Sequence, residues 1–408
     1  MKILWIGPAF LHPTNRGGQI RTLEMLRCLR QRHEIHYLAP YDGTTEAIER
    51  SPEFCSWASP VRYDLAPRGS PRFWWQSISA LFSQLPITLQ RKRSKSVLRE
   101  AMALLAKEKF DVVVCDFLAT TVNLPPGQPY VLFEHNVETI IWRRYYKHAK
   151  DPVRRAFFRS QAQRLETYEI FACRRATHVI TVSDSDATFL REMCCISNVS
   201  SVPTGVDFAY FTAPSGPTAK LASDLIFVGS MDWMPNIDGV LWFVKEVLPL
   251  IRRKRPLCSL VIAGRRPSAA IRSLQSDDSL IRVTGTADDV RPYLWSSRVS
   301  IVPLRVGSGT RLKIYESMAA GVPVVSTTIG AEGLHSSLPE NIRIGDDPNS
   351  FSAACLALLE NQHEHARQGK AGQSWLRENC SWEKAAIRFE EILETCRHES
   401  RASTSQTI

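Results

Sequence analysis

The chain has 408 residues, a length that favours two domains over one. Hydrophobic residues make up 44% and charged residues 23%, the composition of a soluble globular protein, which excludes a chain disordered throughout. The net charge of +10 implies an anionic partner, whether nucleic acid, an acidic membrane surface or a phosphorylated substrate, without choosing among them.

The first residues, "MKILWIGPAF", carry one lysine and then a short apolar run. That run is too short for a signal sequence and reads as a buried strand. No stretch approaches the about 18 uninterrupted apolar residues of a membrane span. Further runs of the same kind follow: "EIHYLA" (34–39), "DVVVCD" (111–116), "YVLFE" (130–134) and "HVITVS" (178–183). The second half repeats the pattern with "LIFVG" (225–229), "LVIAG" (260–264), "IRVTG" (281–285), "VSIVP" (299–303), "VPVVS" (322–326) and "NIRIG" (341–345). Helix-like segments separate them. Unbroken apolar runs suit strands covered on both faces, so the alternation predicts parallel βαβ units.

The two halves echo each other. "KILWIGP" leads into a loop with Gly17 and Gly18 and a helix, and "LIFVGSMDWMPN" leads into the helix "GVLWFVKEVLPLIRRK". Two doubly wound α/β sheets in series are predicted, with a cleft between them as the default site. The Pro-, Ser- and Thr-rich stretch 197–222 is the linker, and the polar end after Cys396 reads as a disordered tail. The ten cysteines form no CxxC pair and read as reduced core thiols of a cytosolic protein.

Three loops can carry chemistry. "LRVGSGT" follows a strand and opens a helix, with Thr310 as the expected N-cap. Glycines allow close approach of a ligand, and free N–H groups with the positive helix end favour phosphate. Arg311 and Lys313 add charge, and Glu316 is placed to accept two hydrogen bonds from a diol. Diphosphate plus diol describes a nucleotide, although such loops also occur as plain turns. "HPTNRGGQIR" is a second glycine-rich loop, equally readable as a tight turn. "LFEHNVET" crowds Glu134, His135, Asn136 and Glu138 at a strand end, where His135 is either structural or a contact to the reacting centre. No spacing of His, Cys or Asp suggests a metal.

Residues 70–95 interleave Phe73, Trp74, Trp75, Leu81 and Phe82 with Arg72, Arg91, Lys92, Arg93 and Lys95. This is the composition of an interfacial membrane segment or of core packing under a basic face. No nucleic-acid recognition motif accompanies it, so no nucleic-acid partner is expected.

Together these blocks resemble the retaining GT-B glycosyltransferases of glycosyltransferase family 4. The resemblance spans nearly the whole chain. It is strongest from "FVGSMDWMPNIDGVLWF" through "LVIAGRRP" and "GTADDVRPYL" to "GSGTRLKIYESMAAGVPVVSTTIGAEGL". It implies two Rossmann-like domains, 1–200 for the acceptor and 201–380 for a UDP- or GDP-sugar, with helix 381–396 returning to the first and 397–408 as the tail. Glu316 would hold the ribose diol, and the backbone of Gly309, Thr310 and Arg311 would cradle the diphosphate. Gly229 would line the donor site and Thr286 would lie beside the base. Gly17 and Gly18 would close on diphosphate and sugar, and His135 would lie close to the transferred sugar.

The family often has a glutamate where Ser308 stands, and an arginine and a lysine where Ser230 and, nearby, Asn236 stand. Arg265, Arg311 and Lys313 are then the candidate cations for the diphosphate. The implied reaction is metal-independent sugar transfer with retention to a glycan or lipid-linked acceptor. The expected setting is cell-surface polysaccharide synthesis in the cytoplasm, with peripheral contact to the anionic inner face of the plasma membrane. The alternatives are a non-hydrolysing nucleotide-sugar epimerase and a non-catalytic nucleotide-sugar-binding protein.

Overall fold

The computed structural model describes residues 1–14, 16–62, 70, 71, 75, 83–213, 222–307, 309–334 and 341–405. The chain divides into two compact units, Met1–Pro203 with Trp382–Ile408, and Thr204–Ser381. Each is built on one all-parallel sheet, as the alternating pattern predicts.

In unit 1 the strands are β1 (Lys2–Ile6), β2 (Glu34–Tyr41), β3 (Trp57–Arg62), β4 (Val112–Asp116), β5 (Val131–Glu134), β6 (His178–Thr181) and β7 (Val199–Ser201). Their spatial order is β3-β2-β1-β4-β5-β6-β7. Trp5, Tyr37, Phe54 and Phe133 pack one face of this sheet. Leu4, Ile6, Leu132 and Leu165 pack the other. That explains why the central strands read as continuous apolar runs.

Helix Trp382–Ser405 supplies part of the first face: Phe389 lies 5.6 Å from Trp5 and 5.0 Å from Phe133 between ring centres. Its buried residues, Trp382, Ala385, Ala386, Phe389, Leu393 and Cys396, recur at helical spacing. The sequence reading ended this helix near Cys396. The structure carries it to Ser405, since no proline or glycine interrupts "RHESRASTS".

In unit 2 the strands are β8 (Ser223–Val228), β9 (Leu260–Ala263), β10 (Ile281–Gly285), β11 (Ser297–Val302), β12 (Val324–Ser326) and β13 (Ile342–Ile344), in the order β10-β9-β8-β11-β12-β13. Phe227, Phe243, Ile262, Ile301 and Phe351 centre its core. Each sheet reverses direction of growth once, between β1 and β4 and between β8 and β11. Loops leaving the carboxyl ends at such points form the natural ligand sites of open α/β sheets.

Strands β3 and β7 were not read from the sequence. Both are edge strands of unit 1. β3 carries Pro60 and is largely exposed, and β7 has three residues within the stretch taken as linker. Edge strands need neither an unbroken apolar run nor a ladder bond at every N–H. All ten cysteines are free thiols, most of them buried. Among the described residues no helix is long and apolar enough to cross a membrane. Of segment 70–95, residues 72–74 and 76–82 lie outside the described residues, as does Ser308.

Candidate active site

The loop after β11 begins at Pro303 and runs to helix Leu312–Ala319. Gly307 has φ +149° and Gly309 φ +77°, both in the region that favours glycine. Gly307 also makes room: a Cβ there would lie 2.3 Å from Arg311 Nη2. The Arg311 guanidinium is therefore folded against the loop, and Thr310 and Arg311 are both buried. Thr310 is not the N-cap. Its hydroxyl donates to the Gly333 carbonyl at 3.3 Å, and Arg311 takes the cap position without a side-chain cap bond. The first N–H groups of the helix are left without a side-chain acceptor at the cap, which suits an incoming anion.

Lys313 and Glu316 lie three apart on this helix, so they share a face. Lys313 reaches across to the end of β8. Its Nζ donates to Asn236 Oδ1 at 2.9 Å and sits 4.1 Å from the centre of the Phe227 ring. Gly229 is needed beneath it, because a Cβ there would lie 2.7 Å from Nζ. Asn236 is fixed in turn by donating Nδ2 to the Ser230 carbonyl at 2.8 Å. Burial, reinforced by the Arg311 charge and opposed by Glu316, brings the Lys313 ammonium down to about 7. Burial raises the Glu316 carboxyl to about 7, opposed by Lys313. Among the described residues the Glu316 carboxylate has no hydrogen-bond or ion-pair partner. Glu316 is 9% exposed and the nearby Lys313 charge favours its ionised form, so the carboxylate is open to a ligand's hydroxyl donors.

Arg265, just after β9, bonds Ser230 Oγ at 3.1 Å and pairs with Asp232 at 3.0 Å. It thus stands against Ser230 at the end of β8. Gly264 beside it is obligatory, since a Cβ would lie 1.8 Å from the Gly229 carbonyl. Thr286 is exposed beyond the edge strand β10 and is not joined by any described bond to the Glu316 group. The structure therefore gathers Gly229, Arg265, Arg311, Lys313 and Glu316 around the switch point of unit 2 and leaves Thr286 at its margin.

In unit 1, Gly17 and Gly18 open helix Gly17–Leu29, again without a side-chain cap. A Cβ on Gly18 would lie 2.5 Å from Phe117 Cζ, so this glycine admits the Phe117 ring. Phe117 has φ +71°, a strained value for a bulky residue. Its ring stacks on His135 at 3.8 Å between centres. His135 Nε2 lies 2.7 Å from Asp116 Oδ1, and its Nδ1 lies 3.2 Å from Arg21 Nη1. Arginine only donates, so Nδ1 accepts and the ring proton sits on Nε2, directed at Asp116. Thr22 donates to the other Asp116 oxygen at 2.7 Å. Burial lowers the His135 pKa, with Asp116 opposing and Arg21 adding to the effect, which keeps the imidazole neutral. The ring is 1% exposed and both of its nitrogens are engaged.

Glu134 faces the opposite side of β5. It lies against Glu169, whose oxygens accept the Glu138 and Thr139 N–H groups at 2.8 and 3.1 Å. Burial beside Glu169 holds Glu134 protonated, and burial pushes Glu138 up to about 7. Glu169 thereby holds the start of the helix that follows His135.

Family models match both units: "Glycosyltransferase Family 4" over residues 15–210 and "Glycosyl transferases group 1" over residues 222–361. The chain belongs to the GT-B glycosyltransferases. Solved structures of the same architecture share the fold of this glycosyltransferase at low identity. Sucrose-phosphate synthase from Thermosynechococcus elongatus superposes with a TM-score of 0.73 at 16% identity, covering 97% of this chain and 98% of its own. Anabaena HepE in complex with UDP-glucose gives 0.65 at 12% identity over 97% and 100% of the two chains. A Klebsiella pneumoniae protein, described as an uncharacterized 44.6 kDa protein in the cps region, is 22% identical over 88% of this chain and 91% of its own.

The sequence reading of this glycosyltransferase missed Arg21, Thr22, Asp116 and Phe117, which together fix His135. Asp116 carries a usable signal: a charged residue closes the apolar run "DVVVC" at its carboxyl end, as Glu134 and His135 close theirs. It also missed that Asn236 is a carrier for Lys313 rather than a lost cation.

Proposed function

We propose that this glycosyltransferase moves a hexosyl group from a UDP- or GDP-sugar to a glycan or lipid-linked acceptor with retention, in the synthesis of a cell-surface polysaccharide at the inner face of the membrane. One observation carries the donor assignment: a largely buried carboxylate with no bonded partner among the described residues and a half-buried lysine on one face of a helix whose first N–H groups lack a side-chain cap. The K. pneumoniae relative from a cps region supports the polysaccharide setting.

In this reading Glu316 binds the ribose diol, and the backbone of Gly309, Thr310 and Arg311 receives the diphosphate. Arg311, Lys313 and Arg265 supply the cations in a metal-independent site. Gly229 leaves the space that Lys313 occupies, and Thr286 borders the base. In unit 1 Gly17 and Gly18 face the diphosphate and sugar. His135, locked by Asp116 and Arg21, contributes placement of the strand end beside the sugar rather than proton transfer. The bond from the anomeric carbon to the diphosphate breaks, the acceptor oxygen attaches on the same face, and its proton passes to the leaving phosphate oxygen.

Titration calorimetry with UDP, GDP and ADP tests the assignment. One nucleotide binds the wild type, and Glu316→Ala weakens it by about tenfold to a hundredfold, the loss of roughly 1–3 kcal/mol in ribose hydrogen bonds. Unchanged binding in Glu316→Ala removes the support for this reading.

A further inference from the structure

We propose that the turn between helices Glu138–His148 and Pro152–Arg175 docks the protein on an anionic lipid bilayer. The two helices form an antiparallel hairpin in unit 1. Its stem is rigid. Trp142, Tyr145, Phe157 and Phe158 form one aromatic cluster with ring centres 5.4 to 6.2 Å apart. Arg143 pairs with Glu166 at 2.7 Å, and the Glu169 carboxylate holds the first N–H groups of the leading helix.

The tip differs in kind. Lys147, Lys150, Arg154, Arg155 and Arg159 are all exposed, and among the described residues none has a carboxylate partner. Arg155 lies 5.3 Å from the Tyr146 ring centre. The one acid at the turn, Asp151, is occupied as the cap of the second helix, accepting from the Arg154 N–H at 2.7 Å. Among these cations Val153 is 76% exposed.

An exposed valine ringed by cations fits a lipid interface better than a soluble polyanion. Lipid headgroups take the charges, the acyl boundary takes the valine, and the aliphatic stems of lysine and arginine lie along it. A polysaccharide or nucleic acid gives the valine nothing. The proposal deepens the membrane part of the proposed function and stands apart from the donor chemistry, since vesicle binding and nucleotide binding are read separately.

The full chain is co-sedimented with vesicles of phosphatidylcholine alone and of phosphatidylcholine mixed with phosphatidylglycerol. Binding to the mixed vesicles only, falling as salt rises from about 0.05 to about 0.5 M, is expected. The combined variant Lys150→Glu, Arg154→Glu, Arg155→Glu, Arg159→Glu loses at least about tenfold in vesicle affinity while keeping its thermal transitions and nucleotide affinity. Val153→Ser alone, which changes no charge, weakens vesicle binding and leaves retention on heparin unchanged. Vesicle binding by the fourfold variant or by Val153→Ser equal to wild type overturns the proposal. So does a wild type that binds heparin but not anionic vesicles, which assigns the tip to a soluble polyanion.

Discussion

Lys313 and Glu316 hold opposite charges that burial makes expensive, and both titrate at about 7. A diphosphate favours the ammonium form, and a ribose diol favours the carboxylate. Lys313 is lowered from the usual 10.5, so the site without nucleotide loses this one ammonium, and keeps its arginines, as pH rises through about 7. Glu316 is raised from the usual 4.5, so the empty site loses its carboxylate as pH falls through about 7. Nucleotide affinity is therefore expected to be bell-shaped with its maximum near 7. Lys313→Met flattens the alkaline limb and Glu316→Gln the acid limb, in calorimetry from pH about 5.5 to about 9.

Asp116 gives a different outcome. Its carboxylate accepts from both Thr22 and His135 inside the core. Asp116→Ala strands those donors and is expected to cost unit 1 about 3–5 kcal/mol in urea unfolding, whereas Asp116→Asn retains an acceptor and costs less. The contrast marks what the sequence made legible. Arg311, Lys313 and Glu316 fall within one helical turn and a half, so spacing alone aligns them. Asp116 meets His135 across 19 residues and Thr22 across 94, contacts that only the strand order creates.

Single elements show the same division. The central strands were legible because a parallel strand covered on both faces must be apolar along its length, as in "ILWI" and "VVVC". β3 and β7 were not, because an edge strand is under no such demand. Helix Glu138–His148 was hidden as well. It begins without a capping side chain of its own, at Val137, and depends on Glu169 from the next helix. Glu169→Ala leaves those N–H groups without an acceptor and is expected to destabilise unit 1 by about 1–3 kcal/mol per group. Glu169→Gln, which keeps one oxygen, recovers part of the loss, and chemical denaturation of the two variants side by side measures the difference.

At the scale of the molecule, unit 1 is discontinuous in sequence and unit 2 is continuous. Phe389 belongs by sequence to the far end of the chain and by packing to the core of the first unit. Phe389→Ala removes a fully buried ring between Trp5 and Phe133 and is expected to cost about 3–5 kcal/mol. In differential scanning calorimetry one transition moves down and the transition that nucleotide stabilises stays in place. A single transition shifting as a whole contradicts the assignment of that helix to unit 1 alone.

The place of that helix also sets an order on biosynthesis. A ribosome emits the first 203 residues long before Trp382–Ser405, so the nascent first unit has its sheet but lacks the stripe of Phe389 and Leu393 that closes one face. The second unit is continuous in sequence and takes none of its strands from that helix. Its strands are expected to gain protease resistance without Trp382–Ser405, whereas the N-terminal sheet gains its full resistance only once that helix has docked over Trp5 and Phe133.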